Sequence, residues 1–170
     1  MLVVQKNRGF TIVELLIVIV VIAILAAITI VAYNGIQNRS HDTAVKSNLA
    51  SFARKYELYK IDSTTNTYPY GNTTTGLNMI ATPVSKSSYD TSISYNLLNC
   101  TNSSNPGIDY ALLAVSKSGK KFWIGSSVSG VQEYTGATAW GPITSCDTVI
   151  ANAVGNGAGW GTNTWRDWVN

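Results

Sequence analysis

The chain has 170 residues and a mass of 18.3 kDa, room for one domain or for one small domain with an extension. Only 12% of residues are charged, the formal charge is +3, and the 45% hydrophobic content is unevenly spread, which excludes an ordinary cytosolic enzyme and a charged disordered tail. One histidine and two cysteines are too few for a zinc finger, a His-rich metal site or a typical haem site.

Lys6 and Arg8 stand ahead of a long apolar run, and without them the charge falls to +1. Residues 62–170 are close to neutral, so no concentrated basic face exists there to grip nucleic acid. From Leu15 to Ala32 no residue is charged and Thr29 carries the sole hydroxyl. A basic start and an apolar run allow a secretory signal peptide, but the run exceeds the usual length of roughly 7–15 residues. Ile30 also spoils a small-x-small cleavage site near Ala32. As a transmembrane helix, Leu15–Tyr33 would rise ~28 Å, about one hydrocarbon core. Glu14 is the odd residue for a plain anchor, because an unpaired carboxylate in a bilayer is costly. It makes sense if it meets a cation in an assembled state. The natural cation is an α-amino group freed by cutting the Gly9–Phe10 bond and carried by a neighbouring subunit.

Lys6, Arg8, Gly9, Phe10, Thr11, Glu14, Leu15 and Leu16, followed by the β-branched and alanine run, resemble the type IV pilin and pseudopilin family. The resemblance covers about residues 5–40 and implies several roles. A membrane aspartyl protease, prepilin peptidase, would cut after Gly9 and methylate Phe10, and Glu14 would be the carboxylate needed for assembly. Many family members carry a proline late in the apolar run. Ile30-Val31-Ala32 has none, so a straighter helix is expected, with Thr29 and Gly35 as its weakest points.

Beyond Tyr33 the sequence turns polar but keeps helical periodicity. Val45, Leu49, Phe52, Tyr56 and Tyr59 form an amphipathic stripe, and Asp42 and Lys46 stand four apart as a favourable ion pair. With no proline in residues 10–61, a single helix of ~78 Å is expected. Asp62, Ser63 and the Thr/Asn cluster end it. Residues 40–61 should pack on their own domain, whereas the first half needs lipid or other copies of itself. His41 belongs to the polar, solvated part of the helix.

Residues 62–92 read as a connecting loop with one short helix near 77–81. Strands are expected at Ile93–Leu98, Tyr110–Val115, Lys120–Ile124 and Val131–Tyr134, with Ser116-Lys117-Ser118-Gly119 turning a hairpin. An antiparallel sheet of three or four strands would cover the stripe, and the resemblance also implies helix followed by antiparallel sheet. Cys100 and Cys146 bracket the hairpin. In an exported chain two cysteines usually pair, and family members often pin a C-terminal loop this way; two buried free thiols are the alternative. From Gly136 the tail holds several glycines with Trp140, Trp160, Trp165 and Trp168, whose indoles are expected to complete a thin core rather than meet sugars or neighbours. Asp109 with Asn102 and Asn105 is a loose calcium candidate only.

The expected organisation is α+β and pilin-like: a leader at 1–9, a membrane or filament-core helix at 10–33, its amphipathic continuation at 34–61, and an extracytoplasmic sheet head at 62–170. No serine elbow, paired carboxylates or phosphate loop point to an enzyme, and no cofactor is implied. The resemblance implies a filament subunit in the cytoplasmic membrane with its N-terminus inside. Its partners would be prepilin peptidase, lipid, other pilins, and pilus or type II secretion machinery. A secretion or competence pseudopilin and a membrane-anchored surface binding protein are the alternatives.

Overall fold

The computed structural model describes residues 9–69, 86–93, 95–136 and 140–156. Helix α1 runs Ile12–Asp62 without a break at Thr29 or Gly35, as the missing proline leads one to expect. The chain divides into two compact units, residues 1–37 and residues 38–170.

In the first unit the large apolar side chains of α1, from Ile12 to Ile36, are all exposed. Thr29 Oγ1 donates to the Ala26 carbonyl at 2.9 Å, so the single hydroxyl of the apolar run is satisfied within its own helix. The helix is long and apolar enough to cross a membrane.

In the second unit the helix buries Val45, Leu49, Phe52, Ala53 and Tyr56, the stripe foreseen from the spacing; Tyr59 is half-buried. The stripe meets one face of a five-stranded antiparallel sheet ordered β4-β3-β2-β1-β5. The strands are β1 (Leu97–Asn102), β2 (Tyr110–Val115), β3 (Lys121–Gly125), β4 (Gln132–Glu133) and β5 (Ala153–Asn156). Fold class is therefore α+β, as expected. Side chains alternate between the sheet faces. Leu97, Tyr110, Leu112, Ala114, Phe122 and Ile124 meet α1. Leu98, Cys100, Ala111 and Leu113 turn to the other face, where Tyr134, Cys146, Ile150 and Ala153 cover them. Both faces of β2 are thus covered, which is why Tyr110–Val115 is buried throughout.

Three expectations need correcting. Strand β1 starts at Leu97, not Ile93. Asp90 Oδ1 accepts the Ser92 N–H at 3.0 Å, and Tyr95 takes a positive φ of 67°, which extended strand excludes. The sheet has five strands rather than three or four: the tail holds α2 (Pro142–Cys146) and β5, and β5 pairs with β1 through Cys100↔Gly155 and Thr101↔Val154. A short strand ending in Gly-Asn gives almost no sequence signal, so its pairing partner decides it. Asp42 does not pair with Lys46 either. It accepts a hydrogen bond from Ser118 Oγ in the β2–β3 turn, while Lys46 Nζ lies 4.7 Å from the Phe122 ring centre. That turn has the expected glycine, Gly119, at φ 87. The helix foreseen near 77–81 lies outside the described residues.

The α1-facing side of the sheet holds a local conflict. Asn99 and Thr101 stand opposite Leu112 and Tyr110, so they face α1. Thr101 Oγ1 is fully buried and has no hydrogen-bond partner among the described residues. Valine fills the shape of threonine without the unpaired hydroxyl. Thr101→Val is expected to raise stability by about 1 kcal/mol, about 2–4 °C in a thermal melt of the detergent-solubilised chain.

Tyrosines line the same face. Tyr56 and Tyr110 rings are 4.7 Å apart, and Tyr68 meets Tyr110 edge-on at 4.6 Å. Burial pushes the Tyr56, Tyr89 and Tyr110 hydroxyls up, Tyr89 to about 12. A tyrosine whose folded pKa is raised loses its proton first in the unfolded chain. The stability it contributes is therefore whole below about pH 10 and lost as pH climbs toward the folded value. Melts are expected to stay level up to about pH 10 and then fall, in step with tyrosinate absorbance.

Candidate processing and assembly site

Gly9 and Phe10 precede α1 and are exposed; 83% of the Phe10 surface is free and the space beside Gly9 is open. Nothing within the described residues shields the Gly9–Phe10 bond from a protease.

Thr11-Ile12-Val13-Glu14 has the threonine-to-glutamate spacing of a capping box. Thr11 N–H donates to Glu14 Oε2 at 2.8 Å, Thr11 Oγ1 donates to the same oxygen at 2.9 Å, and the Glu14 N–H donates to Thr11 Oγ1 at 3.2 Å. A free N–H at the start of α1 is thereby satisfied, and the acid sits where the helix dipole favours it. The carboxylate is therefore not the lone unsatisfied charge that its place at the apolar edge suggests. Half of it has an intrachain partner, and Oε1 accepts no bond among the described residues. Thr11 is the residue the sequence reasoning undervalued, although its spacing to Glu14 was legible.

Residues 4–30 match the model of the prokaryotic N-terminal methylation motif. The N-terminal segment carries that motif and is similar to the same segment of type IV pilins.

Three curated relatives agree. The type IV wide pilus major component PilA4 of Thermus thermophilus is 41% identical over 63 residues, 37% of this chain and 48% of that protein. The type IV major pilin protein PilA of Myxococcus xanthus is 50% identical over 44 residues, 26% of this chain and 20% of that protein. The type II secretion system core protein G of Klebsiella pneumoniae is 30% identical over 59 residues, 35% of this chain and 42% of that protein. The matched stretch thus spans between a fifth and about half of the length of these relatives. No solved structure matches the chain.

The other expected site residues lie in the second unit, residues 38–170. Cys100 on β1 and Cys146 at the end of α2 are joined by a disulfide, with their Cα atoms 5.4 Å apart. The bond ties the covering layer to a central strand. Trp140 joins that layer, edge-on to Tyr134 at 5.7 Å and donating from Nε1 to the Tyr95 carbonyl at 2.6 Å; the other tail tryptophans are outside the described residues. The loose calcium candidates are otherwise engaged. Asp109 Oδ1 accepts from Ser126 Oγ at 2.9 Å, and Asn102 Oδ1 accepts the N–H groups of Ser104 and Asn105 at 2.8 and 3.1 Å. His41 is half-buried on α1.

Proposed function

We propose that the chain is a structural subunit of a type IV pilus-like filament, cut after Gly9 by prepilin peptidase, methylated at Phe10 and assembled through its N-terminal helix. The observation that carries this is the apolar stretch of α1, exposed all round in its own unit and headed by Glu14, inside the methylation motif. Such a surface needs an apolar surrounding. Lipid supplies it before assembly, with Lys6 and Arg8 on the cytoplasmic side, and neighbouring helices supply it afterwards. The exchange moves apolar surface from one apolar setting to another, so little hydrophobic free energy is lost. Head-to-tail packing of identical copies is heterologous and gives an open filament.

Mass spectrometry of the mature chain tests the processing. The expected product starts at Phe10 and carries one added methyl group; a chain that retains residues 1–9 while still polymerising would overturn the proposal. The similarity to core protein G of a type II secretion system favours a second reading, a pseudopilin of a short envelope filament. Surface fibres in electron micrographs, lost on deletion, would decide for the pilus.

A further inference from the structure

We propose that the turn between β2 and β3, with the stretch of α1 beside it, forms a basic surface that docks on anionic lipid headgroups; this rests on the membrane residence of α1 proposed above. On α1, Arg39, Asp42 and Lys46 recur at i, i+3 and i+7, so they share one stripe. Arg39 and Lys46 are exposed. Asp42 accepts from Ser118 Oγ, and that bond fixes the turn against the stripe. Ser118 Oγ itself accepts the Lys120 N–H at 3.2 Å, and the Gly119 N–H closes the turn on the Ser116 carbonyl at 2.9 Å. The turn thus holds Lys117 and Lys120, both exposed, at the end of the sheet where Lys46 Nζ lies 4.7 Å from the Phe122 ring centre.

The charge on this surface is unbalanced. Asp42 is engaged by a neutral hydroxyl. Lys120 meets Glu133 Oε2 at 3.7 Å, an exposed pair that contributes little. Asp90 follows the segment whose Ser88 carbonyl accepts the Lys117 N–H, and its Oδ1 takes the N–H and hydroxyl of Ser92. Lys121 Nζ lies 5.4 Å from the Trp140 ring centre. Among the described residues no carboxylate pairs with Arg39, Lys46, Lys117 or Lys121.

Position along α1 selects the partner. Asp42 follows Ala32, the end of the uncharged run, by a helical rise of about 15 Å. The headgroup layer takes up roughly 5–8 Å of that rise. A Debye length of about 8 Å, with the reach of a lysine side chain added, spans the rest. Exposed Tyr33 is the kind of amphipathic ring that settles at headgroup level. A phosphodiester there accepts charge-assisted hydrogen bonds from ammonium groups. The contacts belong to the chain in the membrane and are given up when it enters a filament.

The test uses the full chain in vesicles of phosphatidylcholine alone and of phosphatidylcholine mixed with phosphatidylglycerol. A membrane-impermeant amine reagent labels it, and mass spectrometry reads the rate at each lysine. Lys117 and Lys120 are expected to react about ten-fold more slowly in the anionic vesicles. Lys60, about 27 Å further along α1 than Asp42, should react equally in both. High salt should abolish the difference. In the paired Lys46→Gln, Lys117→Gln variant, the protection of Lys120 should all but vanish, since each lysine at an anionic surface is worth about five-fold in binding. Equal rates in the two vesicles overturn the proposal. Protection that survives high salt or the paired variant also overturns it, because nearness to the bilayer would then be the cause and not the basic surface. Slow labelling in both vesicles that quickens as the chain is diluted in the bilayer would give the surface to a second copy and overturn the lipid assignment. A chain that fails to float with the vesicles in a density gradient would overturn the membrane reading, and the docking with it.

Discussion

Glu14→Ala should leave the chain in the membrane and eliminate its filaments. Membrane residence depends on the apolar residues of α1, whose exposed side chains extend from Ile12 to Ile36, and alanine removes none of them. Assembly is different, because it needs register and direction between helices whose surfaces are uniformly apolar and so nearly indifferent to sliding. A charge pair supplies both. The capping box adds a competing account, since alanine also removes the bond to the Thr11 N–H. Glu14→Gln separates the two. Glutamine closes a capping box as glutamate does but carries no charge. Loss of filaments in both variants assigns the role to the charge; loss in alanine with recovery in glutamine assigns it to the cap. Cell fractionation with filament counts reads both outcomes.

Removing the disulfide should cost the head about 4 kcal/mol, because the bond closes a loop of 46 residues and the chain-entropy cost of leaving that loop open is of this size. Against a typical total of about 5–15 kcal/mol this is a large share. The paired Cys100→Ala, Cys146→Ala variant is expected to melt on the order of 10 °C lower than the parent. The parent in strong reductant should melt with it. Both cysteines are fully buried in the layer with Leu98, Ala111 and Leu113, so single serines would add a buried hydroxyl to the lost bond and fall further. A melt of the paired variant that matches the oxidised parent would show that β5 pairing and the Tyr134–Trp140 contact hold the layer without it.

How much could be read in advance depended on how local each signal is. Helix α1 was legible because its determinants lie along it: no proline, an apolar run, then a stripe at helical spacing. Strand β2 was legible to the residue, since six apolar positions buried on both faces leave little else to be. The start of β1 was misplaced because a turn at Asp90 and one residue of positive φ override an apolar-looking run. The Asp42–Lys46 pair gave way to Ser118, since a residue on a helix facing its own sheet has partners from far along the chain.

The linear order of residues alone determined the methylation-motif segment, residues 4–30, and the class of the fold. A peptidase, a bilayer and a helix cap all read contiguous residues, so no folding is needed to recognise what they read. Tertiary structure alone decided that β5 closes the sheet beside β1, that Cys100 and Cys146 come within bonding distance, and that Thr101 is buried beneath α1 without a hydrogen-bond partner among the described residues. Each depends on residues dozens of positions apart meeting across a strand or a helix face, and the energy of such a meeting resides in the pairing rather than in either partner.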